Sequence, residues 1–215
     1  MNGRFRRCAS QQGNALLYGT LLGFAEGECD RLAERLIHWQ WPDGGWNCDV
    51  DPDADTSSFG ETLSPMRGLT VYGNIRRVPG ALQAARRASE VFLRRSLYRR
   101  ATDGSVIHPD FIRLHYPLYW HYDILGALTA LASLRKPLDP RCSEALDLVE
   151  SMELPRGGWA ATGRFFDRPG ERPRRGQDWV RWDAPTQGGM NEWISVRALT
   201  ALVAGGRFVA TPGSL

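Results

Sequence analysis

The feature that most restricts this chain is a turn that recurs between two kinds of helical segment. Pro42-Asp-Gly-Gly-Trp46, Thr102-Asp-Gly-Ser-Val106 and Pro155-Arg-Gly-Gly-Trp159 are related, and their aligned glycines Gly44, Gly104 and Gly157 lie 60 and 53 residues apart. An amphipathic stretch precedes each turn. A stretch of small and apolar residues follows each one after a longer connection: ETLSPMRGL, ILGALTAL and SVRALTAL. Similarity at such a period marks a repeat whose unit cannot bury its apolar face alone. Amphipathic segments can keep one side in water, whereas the small-residue segments cannot. Stacking such pairs therefore buries a continuous core and curves it. The expected fold is all-α, an incomplete α/α toroid of helical-hairpin repeats.

The individual segments follow a helical period. Asn14 to Ala25 is apolar with small residues, and Glu28 to Trp39 places Leu32, Leu36 and Trp39 on one face. Ser58 to Ile75 opens on Thr56, Ser57 and Ser58 as candidate caps, with Glu61 three residues after Ser58 as in a capping box. Gly80 to Ala101 is an arginine-rich amphipathic helix behind Pro79; Tyr119 to Leu134, Pro140 to Met152 and Asn191 to Ala204 complete the set. No segment carries the sustained alternation of a strand. The reading is one domain over 1–215, with a long polar loop over 160–190. The inner, small-residue helices run parallel, so their N-termini gather at one end. With so few repeats the ring stays open: either N-terminal repeats are absent, or a homodimer or partner chain covers the open edge and the apolar first helix.

Composition narrows the function. Apolar residues make up 42% and charged residues 24%, a globular rather than disordered mix. No stretch reaches the ~20 apolar residues of a membrane span, and Met1 to Arg7 is basic without the apolar core of a secretory signal. The expected location is the cytoplasm. A net charge of +3, almost all of it from arginine, does not argue for nucleic acid. The arginine-rich helix reads as a solvated outer face. Cys8, Cys29, Cys48 and Cys142 are scattered without CxxC spacing, as in a reduced chain.

Gln40-Trp-Pro-Asp-Gly-Gly-Trp46, followed by SSFGETL, matches the QW motif. It resembles the terpenoid cyclase and protein prenyltransferase α/α-toroid superfamily, in particular its small prenyltransferase/squalene-oxidase repeat proteins. Leu154 to Trp159 is a degenerate copy of the motif. The resemblance implies that Gln40, Trp46 and Trp159 are scaffold, tying the end of an outer helix to its neighbour. It also implies two chemistries to look for. Class II cyclases protonate an alkene with the middle aspartate of DxDD, and Asp53-Ala-Asp55-Thr56 resembles that pattern without its last aspartate. Asp49, Asp51, Asp53 and Asp55 would have to hold one another's carboxyl protonated through burial and like charge; a solvated acidic turn is the alternative. Prenyltransferases bind zinc through Asp, Cys and His. Here Cys48 and Asp49, joined by His115 or His121, supply those residue types without the family's spacing. An EF-hand reading of the same loop fails, because Ala54 and Gly60 stand where glycine and glutamate are required.

A second constellation is His115-Tyr-Pro-Leu-Tyr-Trp-His-Tyr-Asp123. His121 with Asp123 forms a candidate base and its partner, walled by Tyr116, Tyr119, Trp120 and Tyr122. Ring faces stabilise cations. A third lies around Trp182 and the Glu192–Trp193 pair, before the last inner helix. Together with Glu61 these groups are expected to converge on one mouth, near the positive ends of several helices. The resulting expectation is a terpene-cyclase-like enzyme acting on an apolar isoprenoid-type substrate by acid-initiated cyclisation, without a cofactor. The alternatives are a non-catalytic toroid binding or scaffold protein, and a carbohydrate-active α/α-toroid lyase using Glu61, Asp123 and Glu192.

Overall fold

The computed structural model describes residues 3–134, 137–166 and 189–208. Among them are seven α-helices and no strand: α1 (Ala9–Leu21), α2 (Glu26–Trp39), α3 (Phe59–Ile75), α4 (Pro79–Leu93), α5 (Ile124–Leu134), α6 (Ser143–Ser151) and α7 (Glu192–Ala204). Single 3₁₀ turns sit at Pro109–Ile112 and Pro140–Cys142. The chain is all-α, and none of these helices is long and apolar enough to cross a membrane.

The helices sort by the character of their faces. α1 packs on α3, α3 on α5 and α5 on α7, while α2 packs on α1 and α3, α4 on α3 and α5, and α6 on α5 and α7. α3 and α5 are buried along most of their length, whereas α2 buries only Cys29, Ala33 and Leu36. Gly13 of α1 lies against the Ser64–Pro65 backbone of α3, where any Cβ would overlap the Pro65 nitrogen. Further along the same pair, Tyr18 and Leu21 of α1 share a cavity wall with Arg67 and Val71 of α3, so the two helices run in the same direction. Leu63 against Gly126 and Thr70 beside Thr129 extend that direction to α5. The N-termini of α1, α3 and α5 therefore gather at one end.

Caps account for several boundaries. Ser58 Oγ accepts the Glu61 N–H at the start of α3, and Asn191 Oδ1 accepts the Ile194 N–H at the start of α7. Asp123 Oδ1 accepts the Gly126 N–H at 2.6 Å, so α5 begins at Ile124 rather than Tyr119. The arginine-rich helix stops at Leu93, eight residues short of its periodic pattern. Ser96 and Leu97 adopt φ of 43° and 68°, which swings the fully buried Leu97 into the core. α1 begins earlier than its apolar run and ends at Leu21, leaving Leu22 and Phe24 exposed.

Candidate functional site

The repeated turns are the scaffold that sets the helix ends. Trp41 N–H donates to Gly45 O and Gly44 N–H to Trp41 O; Leu154 N–H donates to Gly158 O and Gly157 N–H to Leu154 O. Gly44, Gly104 and Gly157 all take positive φ, which an L side chain adopts only with strain. Both tryptophans are buried. Trp46 Nε1 donates to Leu36 O of α2 at 2.9 Å and Trp159 Nε1 to Val149 O of α6 at 2.6 Å, each reaching ten residues back into the preceding helix. Their backbones are held by the following helix, through Thr62 Oγ1 of α3 at 3.2 Å and Ser195 Oγ of α7 at 2.9 Å. Gln40 Nε2 donates to Gly44 O and to Ala84 O of α4, and Asp43 accepts the Ser57 N–H and hydroxyl at the entry to α3. These residues carry structure, with their polar atoms already engaged.

The aspartate loop departs from the acid reading. Asp49, Asp51, Asp53 and Asp55 are all exposed. The Asp49 carboxylate accepts the Asp51 N–H, Asp51 accepts the Asp53 N–H, and Asp55 accepts the Thr56 hydroxyl. The loop carbonyls of Asp49, Pro52 and Ala54 turn the other way and wrap the Arg6 guanidinium. The burial that would keep a carboxyl protonated is not found at Asp49, Asp53 or Asp55: all stand in solvent with Asp51, and Asp49 and Asp51 cap the turns that follow them.

The expected zinc set is also rearranged. Asp49 serves its turn, and His115 and His121 lie in a different cluster. Cys48 Sγ instead faces Glu61 Oε1 at 3.6 Å, with Cys8 beside them. Glu61 is oriented by Ser10, whose N–H donates to Oε2 at 2.8 Å and whose hydroxyl donates to Oε1 at 3.0 Å. Burial first, and then the neighbouring Glu61 carboxylate, push the Cys48 thiol up to about 12.

In the 115–123 segment the pairing differs from that expected. Asp123, fully buried, meets His115 rather than His121: Oδ2 accepts the His115 N–H at 2.9 Å and lies 3.3 Å from His115 Nδ1. The carboxylate thereby ties the start of α5 to the preceding loop. His115 is itself buried, with Nε2 packed on Gly163 and its ring stacked on Phe165. Phe165 is the centre of a stack, since its other face meets His121 at 3.6 Å between centroids and Trp120 covers His121. Tyr116 stacks on the exposed Trp193, beside the exposed Glu192. Tyr119 is half-buried at φ 52°. Tyr122 belongs to the core: its hydroxyl donates to Leu97 O and its ring packs among Phe59, Phe92 and Phe111. Trp182, and most of the 160–190 loop, lie outside the described residues.

A cavity of about 360 Å³ opens among α1, α3, α5 and α7 and shares no residue with these clusters. Four helices line it: Leu17, Tyr18 and Leu21 come from α1, Arg67 and Thr70 from α3, Thr129 and Ser133 from α5, and Arg197 from α7. Its size falls in the range of small-molecule sites. Neither Arg67 nor Arg197 meets a carboxylate among the described residues. Burial first, and secondarily the Arg197 charge, hold the Arg67 guanidinium below its ordinary pKa, while the nearby Tyr18 hydroxyl opposes the shift. A second cavity of about 340 Å³ lies near Glu90 and Asp139, but Arg141 already pairs with both acids.

Sequence reasoning missed Arg67 and Arg197. The available signal was a lone cation in each of two otherwise apolar helices, since Arg67 is the only basic residue of α3 and Arg197 of α7. Phe165 and Cys8 carried no local signal. No protein-family model, curated protein or solved structure matches the chain.

Proposed function

We propose that this chain is a small-molecule-binding arc of an α/α toroid, akin to the terpenoid cyclase superfamily, that holds an isoprenoid-type ligand with an anionic end against its inner helices. The observation that carries the reading is the cavity among α1, α3, α5 and α7, into which Arg67 and Arg197 bring two guanidiniums that meet no carboxylate among the described residues. Leu17, Leu21, Val71 and Ala130 supply apolar wall, while the hydroxyls of Thr70, Thr129 and Ser133 donate to carbonyls of their own helices and leave the arginines as the donors for an anion. Two half-buried guanidiniums repel each other and gain by taking an anion between them. Binding is favoured over acid-initiated cyclisation by the state of the nominated acids. Those of the aspartate loop stand in solvent, and Asp123 is engaged by the His115 and Gly126 N–H groups.

Calorimetric titration with farnesyl diphosphate and with farnesol tests this reading. The diphosphate is expected to bind about tenfold tighter or better, the return of one charge-assisted hydrogen bond. Arg67→Gln with Arg197→Gln is expected to erase that preference and leave farnesol binding unchanged. Absence of binding by either isoprenoid, or a preference that survives the double substitution, overturns the proposal.

A further inference from the structure

Cys8, Cys48 and Glu61 come from three separate parts of the chain: the residue capping α1, the connection after the first turn, and the first turn of α3. Both sulfurs and a Glu61 carboxylate oxygen lie within 4.8 Å of one another. We propose that Cys8, Cys48 and Glu61 form a binding site for a thiophilic divalent cation of the zinc class, with a solvent molecule completing four-coordination.

Three features of the geometry support it. Zinc–sulfur and zinc–oxygen bonds at a tetrahedral angle place their ligand atoms about 3.6 Å apart, and Cys48 Sγ stands 3.6 Å from Glu61 Oε1. Glu61 is also pre-oriented. Ser10 fixes both of its oxygens through a backbone N–H and a hydroxyl, the kind of outer support that ligating carboxylates receive. Finally, ligand types and exposure suit the ion. Two thiols and a carboxylate are a soft, anionic set once the thiols give their protons to solvent, and Cys8 is exposed, which leaves an entry path. The remaining thiols, Cys29 and Cys142, are buried in the core. This site is independent of the cavity among α1, α3, α5 and α7. Its effect is to clamp the chain before α1 onto the aspartate loop, where Arg6 and Trp41 already dock: Trp41 Nε1 donates to Phe5 O at 2.9 Å.

The test uses the whole chain, freed of metal by chelator and kept reduced. Cobalt(II) is titrated in while the thiolate-to-cobalt charge-transfer absorption is followed, and zinc is then added as competitor. One equivalent of cobalt is expected to bind with that band and to be displaced by zinc. Cys8→Ser, Cys48→Ser and Glu61→Gln are each expected to weaken binding by more than tenfold. Ser10→Ala leaves all three ligands in place and is expected to weaken it by roughly tenfold. Circular dichroism confirms that each variant retains its helices, and Cys29→Ala, outside the cluster, is expected to bind like the parent. No uptake, uptake without the charge-transfer band, or uptake unaffected by Cys8→Ser in a folded variant each overturns the proposal. So does a Cys8–Cys48 disulfide in the reduced, metal-free preparation, read as the loss of two hydrogens by intact-mass analysis.

Discussion

Replacing Asp123 separates its architectural role from a chemical one. The side chain is fully buried and accepts two backbone hydrogen bonds, from the Gly126 N–H at 2.6 Å and the His115 N–H at 2.9 Å. Asp123→Ala strands both donors where water cannot reach them. At about 1–3 kcal/mol for each buried unsatisfied group, the cost is roughly 2–6 kcal/mol, within which the lost helix cap is already counted. Asparagine separates the two bonds: its carbonyl can still accept from Gly126, but its amide nitrogen cannot accept from His115. Asp123→Asn is therefore expected to cost about half as much. For a chain of this length each kcal/mol lowers the melting temperature by about 2–4 °C, so a mid-range alanine loss of about 4 kcal/mol is worth about 8–16 °C. Urea unfolding followed by far-ultraviolet circular dichroism gives the free energies, and a thermal scan gives the midpoints. The order parent, Asn, Ala is the expected outcome. An alanine variant within about 0.5 kcal/mol of the parent, the range of an ordinary surface substitution, would refute the reasoning.

Two further perturbations test the packing. Gly13→Ala drives a Cβ into the Ser64–Pro65 backbone and is expected to cost about 1–3 kcal/mol or more in urea unfolding, whereas Gly27→Ala, in α2 with open space around it, should be neutral or stabilising by up to about 1 kcal/mol. Trp46→Phe and Trp159→Phe each delete one buried indole hydrogen bond, to Leu36 O and Val149 O, and should destabilise by a similar amount, about 1–3 kcal/mol; a large effect in one and none in the other would show that the two turns are not equivalent.

The helices were legible in the sequence where the signal is local. Ser58 caps α3 because a hydroxyl beside a free N–H needs only three residues of chain to find it, and Asn191 does the same for α7. The turn glycines were legible for a similar reason. The arginine-rich helix was misjudged at its end: periodicity runs on to Ala101, but the core claims Leu97, and the backbone turns to deliver it. The candidate sites show the same divide. Proximity in sequence paired His121 with Asp123, yet a capping carboxylate points back over its own helix and is met there by His115, while His121 stacks on Phe165, forty-odd residues further along the chain. The aspartates look like a cluster of acids, yet all four are exposed, and Asp49 and Asp51 satisfy the turns beside them.

By itself the sequence determined the all-α class, the alternation of amphipathic and small-residue helices, and the recurring turn, because periodicity, caps and positive-φ glycines act within a few residues of themselves. Tertiary structure decided which side chains meet. Close approach of α1 to α3 through Gly13 brings Ser10 to Glu61, and Cys8 and Cys48 gather at the same end. The packing of α1, α3, α5 and α7 brings Arg67 and Arg197 to the wall of one cavity. Such meetings depend on how whole helices seat against one another, a property of packed surfaces that no local stretch of residues carries.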